Sequence, residues 1–444
     1  IVMCEYAYAK GNSTGNFFKF WDMVEAYPRF QGGFIWDWHD KALIHTTDDG
    51  VSFYAYGNDF GGGFDYTRDN EDAQMCCNGI VGPDLVPHPG AYEVKQVQAP
   101  VKITVSNDQD LLAGRLTVHN RYHSRSLEHL ALSWRLTEDG ETLRSGQLPP
   151  MEIPAGETGV LMVPFQVPDT LTPSAEYHLN VHFTLASDEP WAPEGHEVAW
   201  GQFKLPLETS APTESPHTSQ QPVVQLLTSD DAITVTAGDT TLAFDRVKGT
   251  ITQYEVGNRS LLIHGPQECY YRAPTDIDLM MGNPPANVHK WRRAGLDRLG
   301  RDVKTVEAVQ VGPDQVQVRV AAHLHPPDRF TGIDSTLVYR IDATGELTVE
   351  NTVDIDESLP FVPRVGVELR LPGHYEHLTW YGRGPHENYV DRKRGAAVGR
   401  YHSTVDDQFT PYVYPSESGG KEDVRWLALT DKSGAGLLVT GPPL

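Results

Sequence analysis

The chain has 444 residues, room for two to four domains with substantial cores. Its formal net charge of -24 repels phosphate backbones and argues against a nucleic-acid partner, and no apolar run approaches the ~20 residues that span a bilayer. With 39% hydrophobic and 22% charged residues it reads as a soluble globular protein, its acidity suits a neutral substrate or a cationic cofactor, and its four cysteines are too few for a disulfide scaffold and are expected to be reduced.

The first residues, Ile1 to Tyr6, form a short apolar run of the kind buried on both faces of a parallel sheet. After a loop, Phe17, Phe20, Trp21 and Val24 fall at i, i+3, i+4 and i+7, the spacing of one helix face. Asn16 is placed to cap that helix and Pro28 to stop it. Gly32 to Trp38 reads as a second buried strand, so residues 1–96 open with a parallel β/α unit. From Val101 the period becomes two: Val101, Ile103 and Val105 alternate, as do Tyr177, Leu179, Val181, Phe183 and Leu185, with a turn signal at Glu138-Asp139-Gly140. Residues 97–207 therefore read as an immunoglobulin-like β-sandwich. Residues 208–222, rich in Pro, Ser and Thr, read as a linker, and residues 223–444 as a large β-sandwich still open at its C-terminal end.

Glu5 stands at the carboxyl end of the first strand, the end at which β/α barrels keep their chemistry. A carboxylate there can attack an anomeric carbon, and a retaining glycosidase pairs it with a second carboxyl ~5–5.5 Å away. On position alone a glutamate salt-bridged inside a barrel is equally open. Trp36 and Trp38 end the next strand, where an indole face can stack on the apolar face of a sugar or simply pack. The polar cluster Gly384 to Asn388 reads as a structural turn at an edge facing the barrel, and Gly282, Asn283, Pro284 and Pro285 read as a loop just after Asp276 and Asp278.

Six blocks carry a more specific signal: CEYAYAKGNSTGNFFKFWD at 4–22, QGGFIWDWHDKAL at 31–43, CCNGIV with PHPGAYEVKQ at 76–96, RAPTDIDL at 272–279, YGRGPHENYVDR at 381–392 and TPYVYPSESG at 410–419. In this order they resemble the β-galactosidases of glycoside hydrolase family 2 over nearly the whole chain. The resemblance implies a mixed fold: the C-terminal remnant of a (β/α)8 TIM barrel, an immunoglobulin-like β-sandwich and a large β-supersandwich. It implies retaining hydrolysis of terminal β-D-galactose from β-galactosides such as lactose. Glu5 matches the family's nucleophile, Trp36 its galactose platform, Asn78 an asparagine that touches both the galactose 6-hydroxyl and a sodium ion, and Met75 a main-chain carbonyl ligand of that sodium. Tyr8 stands where the best-known bacterial members carry a sugar-contacting histidine, and Tyr can still donate a hydrogen bond.

The resemblance also implies Mg2+ and Na+ in the complete enzyme, homo-oligomers and a cytoplasmic setting. It places the acid/base glutamate, the magnesium ligands and the sodium-site aspartate before Ile1, and an aglycone-site tryptophan after Leu444, so a chain of these residues alone is expected to be inactive. The competing expectations are a non-catalytic carbohydrate-binding or assembly subunit, and a β-glucuronidase or β-mannosidase of the same family. The latter lack the last sandwich with its RAPTDIDL and GPHENYVDR blocks.

Overall fold

A computed structural model describes residues 1–60, 76–209, 223–279 and 286–443. They gather into two compact units, one of Ile1–Glu214, Leu378–Ala428 and Leu438–Leu444, the other of Ser215–His377 and Leu429–Leu437. None of the described helices is long and apolar enough to cross a membrane. All four cysteines are free.

The first unit begins with strand β1 (Met3–Tyr6), helix α1 (Phe17–Ala26) and strand β2 (Gly33–Ile35), with β1 and β2 paired in parallel. The apolar stripe behaves as its period predicts. Phe17 is fully buried, and Phe20 and Trp21 pack against a small core with Tyr6, Ile80, Val81 and Val94. Two expectations need correction. Asn16 does not cap α1 with its side chain: its backbone is left-handed (φ 57°), and its N–H donates instead to the Asp391 carbonyl at 2.7 Å. The second strand is shorter than Gly32 to Trp38, because beyond Ile35 the chain leaves β1 and takes its hydrogen bonds from residues 78–81. A hairpin, β3 (Leu43–Thr46) with β4 (Ser52–Ala55), and helix α2 (Pro89–Val97) follow. Pro89 sits in the first turn of α2, where its missing N–H costs nothing.

Seven strands then build a sandwich. One sheet is β5 (Val101–Thr104), β6 (Arg115–Asn120) and β9 (Thr158–Met162); the other joins β7 (Leu130–Glu138), β8 (Glu141–Leu148), β10 (Tyr177–Leu185) and β11 (Glu197–Lys204) in the order β11-β10-β7-β8. Three strands against four around one core is the immunoglobulin-like arrangement that the alternating pattern predicts. Leu116, Val118, Leu132, Leu136, Leu179, Val181 and Phe183 fill it at 0–1% exposure. The β7–β8 hairpin turns on Asp139 and Gly140 with φ of 45° and 83°, the two positive values a tight two-residue hairpin turn requires. Gly140 has a second reason: a Cβ there would lie 2.5 Å from the Arg400 nitrogen. On its other face strand β10 buries two polar residues, His178 and Asn180. Burial pushes the His178 pKa down to about 4, with Arg425, Lys204 and Arg383 acting in the same sense against Glu176.

The second unit is nearly all strands. A five-stranded antiparallel sheet runs in order through β12 (Gln225–Thr228), β13 (Ala232–Ala237), β14 (Thr240–Asp245), β15 (Thr250–Val256) and β16 (Arg259–Ser260). After β17 (His264–Cys269) and helix α3 (Asn287–Ala294), a four-stranded sheet runs through β18 (Gly300–Gly312), β19 (Gln315–His325), β20 (Ile333–Asp342) and β21 (Leu347–Ile355), and β22 (Gly366–Arg370) pairs back with β17. Val235, Leu242, Phe244, Val316, Val318, Val320, Leu337 and Tyr339 are 0% exposed between the two large sheets. Asp276 and Asp278 lie in a short buried helix, where Asp278 accepts from Arg272 at 2.7 Å and from the Thr275 N–H at 2.9 Å. Gly282 to Pro285 and residues 210–222 of the expected linker lie outside the described residues.

His178 yields a pH prediction. Its folded pKa lies below its unfolded value of 6.5, so the unfolded chain takes up the proton first on acidification. Its contribution is complete above pH 6.5 and is lost as pH falls towards 4. His178→Gln is expected to flatten the fall in melting temperature across that window; an unchanged slope would place the acid sensitivity elsewhere.

Candidate active site

Three segments meet beyond the carboxyl ends of β1 and β2. Tyr6 is in register with Ile35, so Glu5 and Trp36 flank that pair on neighbouring strands. The Ala9 N–H donates to the Trp36 carbonyl at 2.8 Å and closes the gap between the strand ends. After a cis Trp36–Asp37 peptide, residues 37–40 run alongside residues 78–81. The Asp37 N–H donates to the Asn78 carbonyl at 2.5 Å, the Ile80 N–H to the Asp37 carbonyl at 3.0 Å and the Asp40 N–H to the Val81 carbonyl at 2.9 Å.

This ladder delivers Asn78, 0% exposed, between two partners. Its Nδ2 donates to the Tyr8 hydroxyl at 3.3 Å, and its Oδ1 accepts from Lys41 Nζ at 2.8 Å. An ammonium has donors only, so it fixes which way round the amide lies. Lys41 Nζ also lies 2.6 Å from Asp37 Oδ2 and 5.1 Å from the Trp36 ring centroid. Burial raises the Asp37 pKa, but Lys41 and the Trp38 N–H outweigh it and hold the carboxyl below its usual range. Behind the ladder, buried Asp40 accepts from the Gly79 N–H at 2.7 Å through Oδ1 and lies 2.9 Å from His88 Nε2 through Oδ2. His88 in turn stacks on Tyr412, ring centroids 5.3 Å apart.

A second buried network holds the segment that follows the first strand. Arg392, 3% exposed, donates from Nη2 to Glu387 Oε1 at 2.9 Å and to Asn12 Oδ1 at 2.7 Å. Glu387 also accepts from the Tyr412 hydroxyl at 2.6 Å, Thr410 Oγ1 at 3.2 Å and the Gly419 N–H at 2.8 Å. Asn12 Nδ2 donates onward to the Glu417 carbonyl at 2.8 Å. Gly15 fits against Asp391 only because it lacks a Cβ, which would fall 1.9 Å from Asp391 Oδ2.

Glu5 is exposed on β1, Trp36 is 38% exposed, and Tyr8 and Asn78 are joined by a hydrogen bond; Met75 lies outside the described residues. Among the described residues no cluster of three or more His, Cys, Asp or Glu side chains could hold a metal. The Asn78 oxygen that the expected sodium site would use accepts from Lys41 Nζ. Lys41, Asp40, His88, Arg392 and Asn12 were not singled out from the sequence. The opposite charges four apart at Asp37 and Lys41 were a usable sign; the other pairings join residues 48 and 380 apart and leave no local trace.

A parallel β/α unit with a carboxylate and a tryptophan at neighbouring strand ends, followed by β-sandwiches, is an arrangement compatible with a barrel-type glycoside hydrolase. Comparison agrees in chain order. Residues 1–103 match the TIM barrel domain of family 2 glycosyl hydrolases, 116–206 match β-galactosidase domain 4, and 236–440 match the β-galactosidase small chain. A β-galactosidase of Priestia megaterium is 34% identical over 443 residues, covering 100% of this chain and 41% of that protein. One of Photobacterium profundum is 35% identical over 440 residues, covering 96% and 41%. The chain belongs to glycoside hydrolase family 2, and it spans about two-fifths of the length of the curated relatives it matches.

The Arg392–Glu387 pair is side-chain buried to 2% on both partners. Removing one member strands a charge, which costs about 3–5 kcal/mol in such settings. Arg392→Ala is expected to lower the denaturant midpoint by that equivalent, and a loss below about 1 kcal/mol would mean the pair is solvated in solution.

Proposed function

We propose that these residues supply the nucleophile and galactose-binding face of a retaining β-galactosidase. The observation that carries this reading is the Tyr8–Asn78 hydrogen bond, which links the segment after Glu5 to a residue 70 positions away beside Trp36. In this reading Glu5 attacks the anomeric carbon as the aglycone oxygen leaves with a proton, and water then releases galactose from the covalent ester with retention. The proton comes from a second carboxyl in the part of the relatives' length outside this chain. Trp36 forms the floor against which the apolar face of galactose stacks, and Tyr8 and Asn78 meet its hydroxyls.

Two measurements test it, in a full-length enzyme carrying these residues. A 2-deoxy-2-fluoro-β-galactosyl fluoride is expected to label Glu5, and Glu5→Gln to lose roughly a thousandfold or more in kcat. A label on another carboxylate would remove Glu5 from its role. Trp36→Ala is expected to weaken galactose binding by about 1–2 kcal/mol, roughly five- to thirtyfold. If only bulky aglycones lose affinity, Trp36 belongs to the aglycone side.

A further inference from the structure

We propose that Lys41 supplies from within the chain the positive charge that sequence resemblance assigns to a bound sodium ion beside Asn78. Lys41 grips the 76–78 segment twice: its main-chain N–H donates to the Cys76 carbonyl at 2.7 Å, and its Nζ to Asn78 Oδ1 at 2.8 Å. The backbone on either side of the Asn78 amide is fixed, its carbonyl held by the Asp37 N–H and the next N–H, that of Gly79, by Asp40. An alkali ion on the same oxygen would lie within a few ångströms of the ammonium, where like charges repel strongly. The ammonium has its own counter-charge in place, since Asp37 Oδ2 lies 2.6 Å from Nζ. The Trp36 ring under the ammonium adds a cation–π contact at 5.1 Å, so one lysine joins the sugar floor, the amide and the carboxylate. Lys41 is thus a positioning residue acting through Asn78, whose amide is turned to offer its NH2 towards Tyr8. Its effect on sugar binding rests on the galactoside reading; its exclusion of sodium does not.

The test uses a full-length enzyme carrying these residues and two readouts. In 23Na relaxation, the wild-type enzyme is expected to broaden the sodium signal no more than Asn78→Ala does. In titrations with methyl β-D-galactopyranoside, its Kd is expected to be the same in sodium chloride and in choline chloride at equal ionic strength. Lys41→Gln is expected to weaken binding about tenfold in choline, while Lys41→Arg, which keeps the charge, stays within about threefold. Excess 23Na broadening abolished by Asn78→Ala overturns the proposal. So does a wild-type Kd that tightens saturably with sodium, or a Lys41→Gln enzyme that binds like wild type in choline. If no galactoside binds under any cation, the galactoside reading fails and the 23Na comparison decides the role of Lys41 by itself.

Discussion

A guanidinium taken out of water needs acceptors for its donors, and Arg392 Nη2 finds two, one on Glu387 and one across 380 residues on Asn12, while its buried Nη1 has no partner among the described residues. Much of the candidate site follows from this. A parallel pair of four and three residues is too short to hold its own geometry, and the loop after β1 would wander if only the strand anchored it. Instead Asn12, Gly15 and Asn16 are each fitted to the 387–417 stretch by a hydrogen bond or a glycine-sized gap. Tyr8 lies between the strand and those anchors, so a turn far away in the chain sets where its hydroxyl stands.

What was legible in the sequence is what local periodicity encodes. The 3.6-residue spacing of Phe17, Phe20, Trp21 and Val24 marked α1, and the alternation over Tyr177–Leu185 marked the central sandwich strand, because burial of one face depends on chain-local geometry. Asn16 followed the statistics of caps, but a tertiary bond to Asp391 pulled it into a left-handed conformation. Glu387 read as part of a turn, but it lies in irregular chain just after a bend at 385–386; its partners Tyr412, Thr410 and Gly419 come from a later loop, and no period links them. The six sequence blocks singled out Glu5, Tyr8, Trp36 and Asn78 as candidates; Lys41, whose ammonium touches two of them, Trp36 and Asn78, lies inside one of those blocks without a local signal of its own beyond Asp37 four residues earlier.

Lys41 also offsets local acidity in a strongly acidic chain. With a net charge of -24, an uncompensated Asp37 beside the sugar floor would add to an already negative field. The ammonium cancels it at contact distance and orders the neighbouring amide in the same act. A covalently attached cation has no loss of translational freedom to offset, unlike an ion recruited from solution.

The central claim, that strand-end residues, Asn78 and Lys41 form one galactose site, is tested most directly by a crystal structure of the enzyme with galactose bound in sodium-containing buffer. The account predicts the sugar stacked on Trp36, within hydrogen-bond reach of Tyr8 or Asn78, with Lys41 Nζ still on Asn78 Oδ1. A sodium ion on that oxygen with Lys41 turned away, or galactose bound elsewhere, would contradict it.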